Sequence, residues 1–166
     1  HGLPCTFFVS SGFLDGGCMW NDIVIQAVRH AAGPGLQALR CAGVDLGSHS
    51  LEGWPARRAT LDALIARVKY LEPAHRLEVV LALAAAAGAP PARSEMMRSS
   101  QVADLARQGF GIGGHTVNHP ILARLDEPAA LAEMAEGRQR LQAIIGRPVT
   151  LFAYPNGKPG LDYHAS

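Results

Sequence analysis

Aromatic residues, charges and cysteines are scarce in this chain, and each scarcity excludes a class of protein. Aromatic residues make up 6% and charged residues 17% of the 166 residues, and the formal net charge is +1. Because no cluster of lysine and arginine accompanies a series of stacking aromatic rings, we expect no nucleic-acid partner. The three cysteines, Cys5, Cys18 and Cys41, lack C-x-x-C spacing, so the pattern indicates neither a disulfide framework nor a thiolate zinc site.

Long apolar runs are also missing. No stretch approaches the roughly 20 apolar residues that cross a bilayer, so no membrane-spanning segment is predicted. The chain shows no signal-peptide pattern, but it does not begin with methionine either, and its compartment stays open. A hydrophobic content of 48% over 166 residues is enough for one globular core and too high for a disordered chain.

The chain does contain an alternation of strand and helix patterns, which indicates an α/β fold. Residues 5–9 form an apolar, β-rich run typical of a buried parallel strand, and shorter runs at 110–112 and 149–152 predict two more. Five helices are predicted. The first is capped by Asn21 and closed by Gly33 and Pro34, and the second ends before Pro73. The third reaches Gly88, and its predicted apolar face consists of Leu77, Val80, Leu81 and Ala84. The fourth is capped by Ser99 or Ser100, and the fifth extends from Pro128 to Gly146. The second and third of these helices form a predicted helical insertion.

Two histidines four positions apart, His115 and His119, stand between a glycine pair and a proline in the segment GGHTVNHP. The glycines weaken a helical start and Pro120 favours extended backbone at His119, so the pair is predicted on a loop after a strand. Two neutral imidazoles can share a divalent cation, but an open catalytic site usually has a third protein ligand, commonly a carboxylate. The alternative is a pair of ordinary polar loop residues.

Other polar residues have ordinary explanations. Asp15 is interpreted as a turn residue, since Asp-Gly is common turn chemistry. Asp45, in the segment GVDLGSHS, is interpreted in the same way. Trp20 is interpreted as a ring packed against the helix that it begins, and not as a platform for a sugar. Four isolated histidines are interpreted as solvated side chains: His30, His49, His75 and His164.

Three segments resemble motifs of one family. The segment GGHTVNHP, residues 113–120, resembles the H-[ST]-x-x-H-P motif of the polysaccharide deacetylases, the family 4 carbohydrate esterases that share the NodB homology domain. Residues 153–157, AYPNG, are similar to the family's R-x-P-[YF]-G motif, and residues 1–17, HGLPCTFFVSSGFLDGG, resemble its HGxPATFFV-x-x-G segment. The three matches occur in the family's order, and residues from about 20 to 98 are the least family-typical.

The resemblance implies a fold and an activity. The fold would be a partial, deformed (β/α) barrel of the NodB type, forming one domain over residues 1–166 with an insertion at about 20–98. The activity would be metal-dependent hydrolysis of the N-acetyl group, less often the O-acetyl group, of a carbohydrate substrate. A divalent cation of the Zn2+ type would be bound by His115 and His119.

The AYPNG segment carries further implied roles. The family supplies its oxyanion donor from the backbone N–H of the position held here by Asn156, so asparagine in place of the usual aromatic residue need not remove that donor. Tyr154, Pro155 and Gly157 would contact the substrate. The arginine that orients the catalytic aspartate in the family is Ala153 here, which marks either a subfamily with another orienting residue or a loss of the ordinary mechanism.

Two further family motifs are absent from the chain. The family has a preceding strand with the motif T-F-D-D, whose aspartates are the catalytic base and the third metal ligand, and a later histidine that acts as general acid. The resemblance therefore implies an internal fragment that is inactive alone, with an Asp-Asp pair encoded upstream of His1. Two alternatives stay open: a non-catalytic carbohydrate-binding or structural remnant of the same fold, and an amidohydrolase that acts on a small amide.

Overall fold

The computed structural model describes residues 3–91 and 93–163. Its elements in chain order are β1 (Thr6–Val9), α1 (Trp20–His30), β2 (Gly35–Cys41), β3 (Val44–Ser50), α2 (Gly53–Val68), α3 (Pro73–Ala86), α4 (Ser99–Arg107), β4 (Gly111–Gly114) and α5 (Glu127–Ile145), with short 3-10 turns at Ser11–Phe13 and Leu122–Arg124. The α/β class is confirmed. Closure into a barrel stays a prediction, because the strands of the described residues form two separate two-stranded sheets. None of the described helices is long and apolar enough to span a membrane.

The chain divides into two compact units. The first unit comprises His1–Gly17 and Glu95–Ser166, and the second unit comprises Cys18–Ser94. The second unit covers nearly the same stretch as the segment that is least typical of the family. Its status as an insertion into one family domain stays a prediction.

In the first unit, β1 and β4 pair in parallel, with Thr6 opposite Gly111. β4 is rich in glycine because side chains of β1 pack directly against its backbone. A Cβ added at Gly113 would stand 2.4 Å from the Phe8 ring, and one at Gly111 would stand 2.5 Å from Thr6 Oγ1. Glycine in this strand therefore permits the close approach, and the strand predicted at 110–112 is present with slightly shifted bounds.

The strand predicted at residues 149–152 is much shorter than expected. In the described part of the chain, one parallel bridge links this segment to Gly114, whose N–H donates to Leu151 O (2.8 Å) and whose carbonyl accepts from Ala153 N (3.0 Å). The ladder does not extend toward Val149, because the Val149 N–H donates to Oε1 of Gln142 on α5 (3.0 Å). A helix side chain thus takes the place of a strand partner.

α5 has nearly the bounds that its sequence predicts. The Asp126 carboxylate accepts a hydrogen bond from Ala129 N (2.9 Å) and caps the first turn, and Gly146 ends the helix with a left-handed φ of 68°. The first unit has one cluster of buried apolar side chains from β1, α4, β4, α5 and the segment that follows: Val9, Val102, Ile112, Leu141 and Val149.

Two predicted helix caps are wrong. Met19, and not Asn21, is the N-cap residue of α1. Arg98 is the N-cap residue of α4, so that Ser99 is already helical. The Gln101 side chain accepts a hydrogen bond from the Arg98 N–H (2.8 Å), which satisfies one backbone donor at the start of the helix.

The buried face of α3 also differs from the prediction. Leu77 and Leu81, expected on the apolar face, are 45% and 53% exposed. Val80, also expected there, is fully buried, but its buried neighbours are Val79 and Leu83. Because apolar residues occur all around α3, their spacing alone does not determine which face packs. Tertiary contacts with α1 and β2 decide it.

The second unit contains a β-hairpin that was not predicted, so the expected insertion is not purely helical. β2 and β3 pair in antiparallel fashion. Their turn places Ala42 at φ 45° and Gly43 at φ 80°, a left-handed pair that suits a tight hairpin. The usual Asn-Gly or Asp-Gly signal is absent, which explains the error. Asp45 therefore lies within β3, so its interpretation as a turn residue is wrong. His49 also lies within β3, and its Nε2 hydrogen bonds to Leu46 O (2.6 Å).

Trp20, in the second unit, packs against a cation. The guanidinium of Arg76 lies 4.9 Å from the centroid of the Trp20 ring, and Arg76 also donates to Lys69 O (2.9 Å). Burial lowers the pKa of Arg76. The indole therefore has a structural partner within its own unit, in line with the packing interpretation.

Asp15 lies in the turn after β1, as predicted, with a left-handed φ of 62°. Its carboxylate accepts hydrogen bonds from Ser99 Oγ (2.5 Å) and Ser99 N (2.9 Å) at the start of α4. The bond from the Ser99 side chain, followed by the bond from its backbone, holds the pKa of Asp15 below its ordinary value. The carboxylate thus fastens the turn to α4.

Asp15→Asn should reduce the stability of the chain at neutral pH and matter less in acid. A carboxyl group whose pKa is lowered on folding stabilises the fold above its unfolded pKa of about 3.9, and this contribution is lost as the pH falls through the folded pKa. Urea midpoints measured from pH 7 to pH 2 should therefore converge for the parent and the variant below about pH 4. Parallel curves would show that ionised Asp15 does not stabilise the turn.

Candidate metal site

His115 and His119 lie close together on the loop that follows β4. Their ring centroids are 4.7 Å apart, at an interplanar angle of 67°, and both residues are half-buried. The loop is not helical, since Thr116 and His119 have left-handed φ angles of 64° and 53°. The predicted loop is present, and it holds the two rings close together. The extended backbone expected at His119 is wrong, since its φ is left-handed.

The His115 ring has a defined orientation. Its Nδ1 lies 2.8 Å from the Ala153 carbonyl oxygen, and because a carbonyl only accepts, Nδ1 carries the proton in the neutral ring. Nε2 then keeps the lone pair that a metal ligand needs. A hydrogen bond from the second nitrogen to a backbone carbonyl is the common outer-shell support of a metal-binding histidine. The same contact places the start of residues 153–157 beside His115.

Thr116 is fully buried, and its hydroxyl joins both ends of the loop. Oγ1 donates to the His115 carbonyl (2.5 Å) and accepts from the His119 N–H (3.0 Å). Ser10 Oγ, at the end of β1, donates to the same His115 carbonyl (2.7 Å). The threonine between the histidines thus ties the backbone of one to the backbone of the other.

The turn after β1 supports the loop from another side. Ser11 N donates to Thr116 O (3.2 Å), and Gly12 N donates to Val117 O (2.9 Å). A Cβ at Gly12 would stand 2.8 Å from Val117 O, so the glycine permits this approach. The turn after β1 and the histidine loop are therefore joined through their backbones.

α5 supplies two residues that the sequence analysis missed. Gly137 packs against the loop, and a Cβ there would stand 2.9 Å from the carbonyl carbon of Thr116. One turn earlier, Glu133 Oε2 accepts from Val117 N and Asn118 N (both 2.9 Å), while Oε1 accepts from Asn118 Nδ2 (2.7 Å). The Glu-x-x-x-Gly spacing, which puts both positions on one helix face, is the sequence signal that could have identified them.

The segment of Tyr154, Pro155, Asn156 and Gly157 follows the bridge to β4. Pro155 is buried, whereas Tyr154 is 46% exposed and stacks on Tyr163 with 4.5 Å between ring centroids. Asn156 has a left-handed φ of 66°, which asparagine tolerates better than most residues. Within residues 3–91 and 93–163, the Asn156 N–H makes no hydrogen bond. That donor is left for solvent or a ligand.

Two imidazoles form only part of a metal shell. Across residues 3–91 and 93–163, no group of three or more His, Cys, Asp or Glu side chains is placed to hold a metal ion. The described histidines outside the loop bond to backbone carbonyls: His30 to Gln26, His49 to Leu46 and His75 to Ala42. His164 lies outside the described residues. An open zinc site commonly takes three protein ligands, and the loop supplies two candidates.

Comparison with known proteins agrees with the motifs. The polysaccharide deacetylase family matches residues 80–165, just over half of the 166-residue chain, and the match includes both the histidine loop and residues 153–157. The chain belongs to the polysaccharide deacetylase family. Membership supports a hydrolase that acts on acetylated carbohydrates. No curated protein and no solved structure matches the chain.

Gly137→Ala should destabilise the chain, although alanine ordinarily favours a helix over glycine by about 1 kcal/mol. The new methyl group would meet the backbone of Thr116, which cannot rotate away, and overpacking of this kind costs about 1–3 kcal/mol. Urea unfolding measures the balance. Gln139→Ala, at an exposed position of the same helix, should stay within about 0.5 kcal/mol of the parent. A Gly137→Ala variant more stable than the parent would contradict the close packing of α5 on the loop.

Proposed function

We propose that this chain contributes metal ligands to a deacetylase that hydrolyses the N-acetyl groups, or the O-acetyl groups, of a carbohydrate. The observation that carries the proposal is the pair of rings, His115 and His119, with centroids 4.7 Å apart and with His115 Nδ1 bonded to Ala153 O. Paired imidazoles with an outer-shell hydrogen bond suit a divalent cation, and Zn2+ in particular.

The chemistry of the donor set fits such a cation in part. When bound, the cation supplies Lewis-acid polarisation of the acetyl carbonyl and a more acidic water. His115 and His119 would hold it, and the Thr116 hydroxyl keeps their backbones together. We assign the third ligand and the general base to carboxylates outside the described residues, as the family's Asp-Asp motif implies.

We assign the oxyanion role to the backbone N–H of Asn156. This residue lies three positions after Ala153, whose carbonyl contacts the His115 ring. The Asn156 N–H has no hydrogen-bond partner within the described ranges. A backbone N–H that faces developing negative charge is a common means of stabilising the tetrahedral intermediate of acyl transfer.

We assign substrate contacts to Tyr154 and Gly157, and a structural role to Pro155, which is fully buried and cannot contact the substrate as expected. Tyr154 is partly exposed and supported from behind by the stacked ring of Tyr163, so its ring can cover the apolar face of a sugar. The buried Pro155 and the exposed Gly157 flank Asn156 and shape the turn that presents its N–H.

A non-catalytic carbohydrate-binding remnant is the second candidate, and Ala153 favours it. The methyl group of Ala153 cannot orient a catalytic aspartate as the family's arginine does. The test is acetate release from an N-acetylglucosamine oligomer by the protein that carries this domain, with Zn2+ present. Release supports the deacetylase, whereas binding of the oligomer without release supports the remnant.

The chain should bind Zn2+ weakly, and His115→Ala and His119→Ala should each weaken binding further. Loss of an outer-shell partner costs roughly 10- to 100-fold in affinity, and loss of a direct ligand should cost at least as much. Isothermal calorimetry measures the affinities. His30→Ala, which removes a histidine at the exposed end of α1, is the control and should bind as the parent does. Parent-like binding by both loop variants would exclude the pair as the site.

Removal of the Asn156 N–H should reduce turnover, while removal of its side chain should not. Proline is a poor probe here, because it fixes φ near −65° whereas Asn156 has φ 66°. Replacing the Pro155–Asn156 amide by an ester deletes the donor and should lower kcat of the intact enzyme roughly 100-fold or more. Asn156→Gly keeps the donor and the left-handed backbone, and should retain most activity. Equal losses in the two proteins would point to the side chain.

A further inference from the structure

We infer that Glu133 is a positioning residue for the histidine pair: its carboxylate holds the backbone between His115 and His119 and thereby sets the separation of the rings. The inference rests on the proposed metal site. It concerns a residue of α5 that lies outside all three sequence motifs.

Three hydrogen bonds connect the Glu133 carboxylate to the loop. Its Oε2 accepts from two successive backbone donors, Val117 N and Asn118 N, and its Oε1 accepts from Asn118 Nδ2. All three distances lie between 2.7 and 2.9 Å. Hydrogen bonds to an ionised acceptor are roughly twice as strong as neutral ones, so the half-buried carboxylate is well suited to fix the middle of the loop.

The loop needs such support because of its backbone. Thr116 and His119 both adopt left-handed φ angles, which cost on the order of 1–3 kcal/mol each outside glycine. Val117 and Asn118 lie between these two bends, and Glu133 binds both of their N–H groups. If that acceptor is lost, the bends can relax toward extended backbone, and the rings then separate.

The other loop contacts act at different points. The Thr116 hydroxyl ties the His115 carbonyl to the His119 N–H, and the turn after β1 binds loop carbonyls. Within the described ranges, the Val117 and Asn118 N–H groups bond to Glu133 and to no other acceptor. The middle of the loop therefore depends on this carboxylate.

The test removes the acceptor oxygens of Glu133. Glu133→Met takes away both oxygens at a similar side-chain length. Glu133→Gln is the conservative variant, because its single side-chain oxygen can accept from the two backbone donors while the Asn118 amide turns its own oxygen toward the glutamine NH2. Glu136→Gln, at an exposed position of α5 paired with Arg140, is the matched control.

Two readouts follow, one with Zn2+ and one without metal. In the apoprotein, Glu133→Met should weaken the nuclear Overhauser contact between the His115 and His119 rings and speed amide exchange at Val117 and Asn118. With Zn2+, it should lower the affinity roughly 10- to 100-fold, the range for outer-shell partners. Glu133→Gln should keep most of both properties, and Glu136→Gln should match the parent.

A Glu133→Met protein that keeps the ring contact, the slow amide exchange and the parent's Zn2+ affinity would overturn the inference. If the parent binds no Zn2+, the proposed metal site fails, and the apoprotein readout alone decides on Glu133. If Glu133→Met unfolds the chain, Glu133→Asp, whose carboxylate is one methylene shorter, decides: a weaker ring contact supports the positioning role, and a parent-like ring contact refutes it.

Discussion

The constraint on which the first unit depends is the backbone of one loop, which bends twice into the left-handed region between His115 and His119. Such bends are costly outside glycine and persist where the surroundings hold them. Here the surroundings are the turn after β1, which binds the loop carbonyls, and α5, whose Glu133 binds the loop N–H groups. Gly137 lets α5 come close enough for this to happen. The paired rings are a consequence of these supports.

The position of the histidine pair was predictable because its signals are local. Glycines before it and proline after it argue against a helix, and the motif fixes which residues are paired. Glu133 was not predictable in the same way, because its partners lie 15 and 16 positions away along the chain. Asp15 is a sharper example: its turn could be predicted from an Asp-Gly pair, but its partner Ser99 is 84 positions away.

The errors in strand and helix assignment have the same origin. The β2–β3 hairpin turns at Ala42 and Gly43, and alanine gives no warning of left-handed backbone. The segment before Ala153 has the composition of a strand, yet a glutamine of α5 takes the N–H of Val149. Ala153 has a role that the sequence did not indicate. Its backbone carbonyl orients the His115 ring, and this role does not depend on the side chain that differs from the family's arginine.

The central claim is that the two imidazoles share one cation, and the zinc-edge X-ray absorption spectrum of the zinc-loaded chain tests it most directly. We expect a first shell at about 2.0–2.1 Å that includes two imidazole nitrogens, identified by the multiple scattering of their rings. The His119→Ala protein should show one imidazole fewer, with oxygen in its place. A first shell of oxygen alone, or a spectrum unchanged in both single variants, would contradict the claim.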